Sequence, residues 1–188
     1  MVVGIIAGVI AIVAIVVLAF WIIGLYNRIV RLENQIDNSW GQIDVQLQRR
    51  GELIPNLINT VKGYAKHEKE TLQAVTDARA GLMNASNPAA KMAADGVLGQ
   101  ALGRLFAVAE AYPDLKANTN FLQLQDELVH TENKISFARQ NYNDTVTAFN
   151  NAIEVLPSNI VANMFGKGNE RPVLEAPEAT RAVPEVSF

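Results

Sequence analysis

The sequence has no cysteine, which excludes disulfides, thiolate metal sites and a cysteine nucleophile and is neutral about redox compartment. Histidine is almost as scarce, at two residues, so imidazole chemistry has little to draw on. The 16 Lys and Arg are interspersed with 19 Asp and Glu, for a net charge of −3, and no basic face for nucleic acid is gathered from them. Outside the N-terminal region no run of about four to eight alternating β-branched residues is bounded by turns, so strands are not expected. Charge itself is missing from the start of the chain: Arg28 is the first charged side chain.

What stands there instead is apolar from Val2 to Leu25, apart from small Gly and Ala. As an α-helix this run is about 36 Å long at ~1.5 Å per residue, enough to cross a hydrocarbon core of ~30 Å with some tilt. A cleaved signal peptide is the rival reading, but Met1-Val2-Val3-Gly4 has no basic side chain and the run exceeds the usual apolar core of about 7–15 residues. Trp21 and Tyr26 stand at the C-terminal end of the run, where amphipathic rings favour the headgroup layer, and Arg28 and Arg31 follow. These four are the candidate membrane-interface residues. Because positive charge close to a span is retained on the cytoplasmic side, the expected topology is N-terminus outside with the bulk of the chain in the cytoplasm. Gly4 and Gly8 form a G-x-x-x-G, and Ala7 and Ala11 repeat small-x-x-x-small beside it, a candidate face for close approach of two spans.

The expected organisation is therefore a transmembrane anchor over 1–27, a helical bundle over 28–165 and a proline-containing tail over 166–188. From Ile29 the apolar residues mostly step by three, four or seven through Ile36, Ile43, Leu47, Ile54, Leu57, Val61, Leu72, Val75 and Leu82, the period of one or two long amphipathic helices. Pro55 lacks a backbone donor and Gly51 and Gly63 flank it, so a kink or short break is expected near 51–55. Asn87 and Pro88 have the chemistry of an N-cap and first helical residue, and open a helix that stops at Tyr112-Pro113-Asp114. Another helix is expected from 118 or 119 to 156, with Phe121, Leu128, Ile135, Tyr142, Val146, Phe149 and Ile153 on its apolar face, followed by a short turn over 160–165. Long helices joined by short connections pack antiparallel, so the fold class is all-α: an N-terminal transmembrane helix followed by an elongated, coiled-coil-like bundle of three or four helices. The tail from Gly166 shows no period and is expected to order only against a partner.

Several strings resemble the LemA family: Gln46-Leu47-Gln48-Arg49-Arg50-Gly51-Glu52-Leu53-Ile54-Pro55-Asn56-Leu57, the run from Leu102 to Asn118 around Tyr112-Pro113-Asp114, Phe137-Ala138-Arg139-Gln140-Asn141-Tyr142-Asn143, and Leu156-Pro157-Ser158-Asn159-Ile160 before Met164-Phe165-Gly166. The resemblance spans about residues 20 to 166. It implies a single-span bacterial membrane protein with a long-helix bundle, in a family with no agreed enzymatic activity, so it fixes architecture better than function.

The chemistry-bearing motifs are thin. Glu127-Leu128-Val129-His130 is one Glu-x-x-His, but a di-metal bundle site needs two together with further carboxylates. His67-Glu68 has no second histidine at metalloprotease spacing, and Gly166-Lys167-Gly168 lacks the strand and glycine spacing of a phosphate loop and reads as a turn. Arg49-Arg50 reads as a solvated helix face, and Gly99 and Gly103 as sites of close helix packing. No catalytic, cofactor-binding or metal-binding residue is assigned, and no enzyme is expected. The expected role is an anchored, self-associating helical scaffold in the bacterial inner membrane. The large side chains able to fill seams within and between subunits are Trp40, Phe106, Phe121, Tyr142 and Phe149. The alternative is a sensor or adaptor that passes a displacement through Pro55 to a cytoplasmic protein partner; a pilin-type filament is disfavoured because Ile5 replaces an acidic residue there.

Overall fold

The computed structural model describes residues 2–175, and these are helical without strands. The order is α1 (Val2–Tyr64), α2 (Lys69–Asn84), α3 (Pro88–Ala109), α4 (Pro113–Lys116), α5 (Thr119–Glu154) and α6 (Ser158–Met164). The expected all-α class, with an apolar N-terminal helix and a helical bundle, is what is found. Pro177, Pro184 and the rest of the tail beyond residue 175 lie outside the described residues. The chain divides into two compact units, one built from residues 2–38 and 142–173, the other from 39–141 with 174–175.

In the first unit Ile29 and Ile36 of α1, Tyr142, Val146, Phe149 and Ile153 of α5, and Val161 and Ala162 of α6 are buried. They recur at helical period, so each element gives one apolar stripe to this core. Gly166, with φ of 69°, ends α6. Its N–H donates to the Asn163 carbonyl at 3.2 Å and the Lys167 N–H to that of Ala162 at 2.8 Å, the paired bonds of a left-handed helix terminus that glycine adopts without steric cost. The turn read at Gly166-Lys167-Gly168 is this stop signal.

In the second unit Ile43, Leu47, Ile54, Leu57 and Val61 of α1 form the core with Leu72, Val75 and Leu82 of α2, Leu98, Leu102 and Leu105 of α3, and Phe121, Leu128 and Ile135 of α5. α2 and α3 pack as a helical hairpin whose second helix starts as its sequence dictates. The Asn87 side chain accepts the Ala90 N–H at 2.8 Å, and Pro88 stands in the first turn. Asn118 caps α5 in the same manner, accepting the Phe121 N–H at 3.0 Å. Pro113–Lys116 makes a single helical turn rather than an irregular one, and Phe106 meets Phe121 edge to face at 6.1 Å between ring centroids.

The first long helix does not break where the sequence suggests. α1 continues through Pro55 and stops at Tyr64, and the interruption falls at 65–68. Proline at 55 deprives the Gly51 carbonyl of its helical donor, and Arg79 of α2 supplies a replacement, its Nε–H donating to Gly51 O at 2.8 Å. α2 also lies close over this turn, since a Cβ at Gly51 would stand 2.8 Å from Met83 Sδ. Gly51 is thus a close approach; of the two glycines expected to permit one, Gly103 faces open space and a Cβ at Gly99 would stand 3.7 Å from Arg50 Nη2.

Candidate functional site

Among the described residues α1 is the one helix long and apolar enough to cross a membrane. Its first part is uncovered: Gly4, Ala7, Gly8 and Ala11 are exposed, and nothing stands within 4 Å of a Cβ built on either glycine. These four share a face without a partner among the described residues. Trp21 is exposed, Tyr26 is half-buried, and Arg28 and Arg31 are exposed just beyond it, so the burial of α1 begins within the segment marked as an interface.

Two contacts fasten the other end of the first unit to this segment. The Tyr26 and Phe165 rings are 4.7 Å apart at 49°. Seven residues further along α1, Glu33 accepts hydrogen bonds from Lys167 and, at 2.9 Å, from Arg171 Nη2. The Lys167 hydrogen bond, reinforced by Arg171, holds the Glu33 carboxyl below the usual carboxylate range against the opposing effect of burial. Arg171 is fixed in turn by Asn150, whose Nδ2 donates to the Arg171 carbonyl at 2.9 Å while its Oδ1 accepts the Arg171 N–H at 2.9 Å. The start of the tail, expected to order only against a partner, is held by these bonds through residue 171.

The second unit holds a charged cluster that the sequence reading missed. Arg50, taken there for a solvated residue, is buried and donates from Nη1 to Asp95 Oδ1 at 2.8 Å and to Glu132 Oε2. Burial pushes the Asp95 carboxyl above its ordinary range, with the adjacent Arg50 opposing and the charge of Glu132 adding to the rise. Arg49, one residue earlier and 100° round the helix, is the exposed one and pairs with Glu127 at 2.9 Å. A signal for the cluster was available: Arg50 occupies the step between Leu47 and Ile54, and Asp95 the step before Leu98. Both charges therefore sit on apolar stripes, where they need a partner.

Between α1 and α5 of this unit lies an open groove of about 510 Å³ lined by Asn56, Asn59, Thr60, Asn120, Gln123 and Glu127. Its amides and hydroxyl offer hydrogen bonds in both directions, but no nucleophile is paired there with a base. The Glu-x-x-His separates into a Glu127 engaged by Arg49 and an exposed His130. Among the described residues no three His, Cys, Asp or Glu side chains converge on a metal-sized site.

Comparison with known proteins gives a consistent picture. The sequence model of the LemA family matches residues 39–188. A protein named LemA from Metamycoplasma hominis is 31% identical over 144 residues, covering 76% of this chain and 66% of the relative. Magnetosome protein MamQ 2 of Paramagnetospirillum magneticum is 26% identical over 167 residues, covering 75% of this chain and 61% of that protein. Magnetosome protein MamQ of Magnetospirillum gryphiswaldense is 25% identical over the same length. The chain thus spans less than two thirds of the length of these relatives.

Proposed function

Because this chain belongs to the LemA family, we propose that it is a membrane-anchored helical scaffold that self-assembles, with no catalytic role of its own. The observation that carries this reading is the uncovered apolar start of α1, whose Gly4, Ala7, Gly8 and Ala11 share a face open to a second span. Exposed Leu122, Val129 and Phe137 along α5 add apolar surface outside the span. The seam residues foreseen from the sequence are differently employed: Phe121, Tyr142 and Phe149 are buried within the chain itself, while Trp40 and Phe106 are half-buried. The proposed setting is the bacterial inner membrane, single-pass, with the bundle in the cytoplasm, because Arg28 and Arg31 follow the span. The test is the detergent-corrected mass of the full chain in mild detergent at micromolar concentration. A multiple of the chain mass of 20.5 kDa is expected; the mass of one chain would transfer the role to an adaptor for a different cytoplasmic partner.

A further inference from the structure

The corner between α5 and α6 carries an apolar surface that the packing of the first unit does not use. Leu156, Ile160 and Met164 recur every four residues and are 73%, 60% and 65% exposed. The opposite side of α6 is buried through Ser158, Val161 and Ala162. A short helix with apolar side chains on its covered and its open side alike is matched to a medium other than water on the open side.

The position of the corner identifies that medium. Arg171 ties Glu33 of α1 to Asn150 of α5, its side chain donating to the one and its backbone paired with the other. From Glu33 back to Tyr26 is seven residues of α1, about 10 Å, and from Asn150 to the end of α5 at Glu154 is four residues, about 6 Å. The Tyr26–Phe165 contact closes this comparison, placing α6 beside the end of the apolar run. Next to the apolar Leu156, Ile160, Met164 and Phe165 come the exposed Arg28 and Arg31 of α1, and then Lys167 and Arg171, both paired with Glu33. That is the order of acyl boundary and headgroup layer.

We propose that the α5–α6 corner is a second membrane contact, with Leu156, Ile160 and Met164 inserted at the acyl–headgroup boundary beside the span. This rests on reading residues 2–27 as a span, and the experiment separates the two claims. The absence of native cysteine allows single nitroxide labels on the full chain at Ile160→Cys, Met164→Cys, Val17→Cys within the run, and Asp144→Cys, exposed on α5. The protein is reconstituted in vesicles of phosphatidylcholine and phosphatidylglycerol, and collision with oxygen is compared with collision with a water-soluble nickel chelate. Labels at 160 and 164 should show several-fold less nickel access than the label at 144, with the label at 17 deeper still. Nickel access at 160 and 164 equal to that at 144, with 17 protected, overturns the second contact and leaves the anchor standing. A label at 17 open to nickel overturns both. Protection at 160 that disappears on dilution with excess lipid shows a second copy of the chain, not lipid, on this surface, and overturns the proposal.

Discussion

Arg79 donates its Nε–H to the carbonyl of Gly51, the acceptor that Pro55 leaves without a helical donor. A side chain from a neighbouring helix thus completes the backbone hydrogen bonding of α1 and lets a proline stand inside it.

Removing that donor should cost stability only while the proline is present. Arg79→Met is expected to destabilise the chain by about 1–3 kcal/mol, the cost of an unsatisfied partly buried acceptor. In a Pro55→Ala background the cost should shrink, because alanine restores the N–H that Gly51 lacks. Urea unfolding of the four proteins in a double-mutant cycle measures the coupling; additive effects would show that the two residues do not share this carbonyl.

Arg50→Met should be far more damaging, at about 3–5 kcal/mol, because it strands the Asp95 carboxylate in the interior. Replacing both, as Arg50→Met with Asp95→Leu, should recover most of the loss. The pH dependence has a definite sign: a carboxyl raised on folding incurs its cost as pH climbs from about 3.9 through its folded value. Arg50→Met raises Asp95 further, so its deficit should be smaller at pH 4 than at pH 7 in chemical denaturation.

Glu33 behaves in the opposite sense. Its carboxyl is lowered on folding, so the stability it contributes is present above about pH 4.3 and is lost as pH falls through the lowered folded value. Acidification should lower the protection of the Arg171 amide, taken as its exchange rate relative to the intrinsic rate at the same pH, and Glu33→Gln should produce the same loosening at neutral pH. Exchange at Arg171 that ignores both changes would assign its protection to Asn150 alone.

The small-residue face of the span predicts weakened assembly in Gly4→Leu with Gly8→Leu, read as a drop in detergent-corrected mass. An unchanged mass would move the self-association surface to α5.

Topology is read by protease added to intact spheroplasts. If the proposed topology holds, with the positive flank of Arg28 and Arg31 on the cytoplasmic side, the bundle should stay uncut; digestion from outside reverses the assignment.

Most of this fold is legible in period and punctuation. The apolar stripes mark their core residues, and Asn87-Pro88 marks a helix start because its signals are local in sequence. The break after Tyr64 was hidden because Val61, Ala65 and Leu72 keep the step of four and seven through it, so the stripe runs on while the helix stops. Pro55 does not break α1 for a different reason: its compensating residue lies on another helix, where no local pattern shows it. Arg50 and Asp95 were visible in principle as charges on apolar steps, but the pairing of Arg50 with Asp95 and Glu132 exists only in three dimensions.

The first unit joins an early and a late stretch of chain, and its ion pairs at Glu33 reach across 134 and 138 residues. On the ribosome the two stretches are separated in time. Residues 39–141 have all been made before the residues that cover Ile29 and Ile36 emerge, so that stripe waits uncovered while the rest is synthesised. A chain released before residue 171 would leave an open seam at the end of its apolar run. Synthesis through Arg171 is therefore itself a condition for closing the first unit at the end of the apolar run.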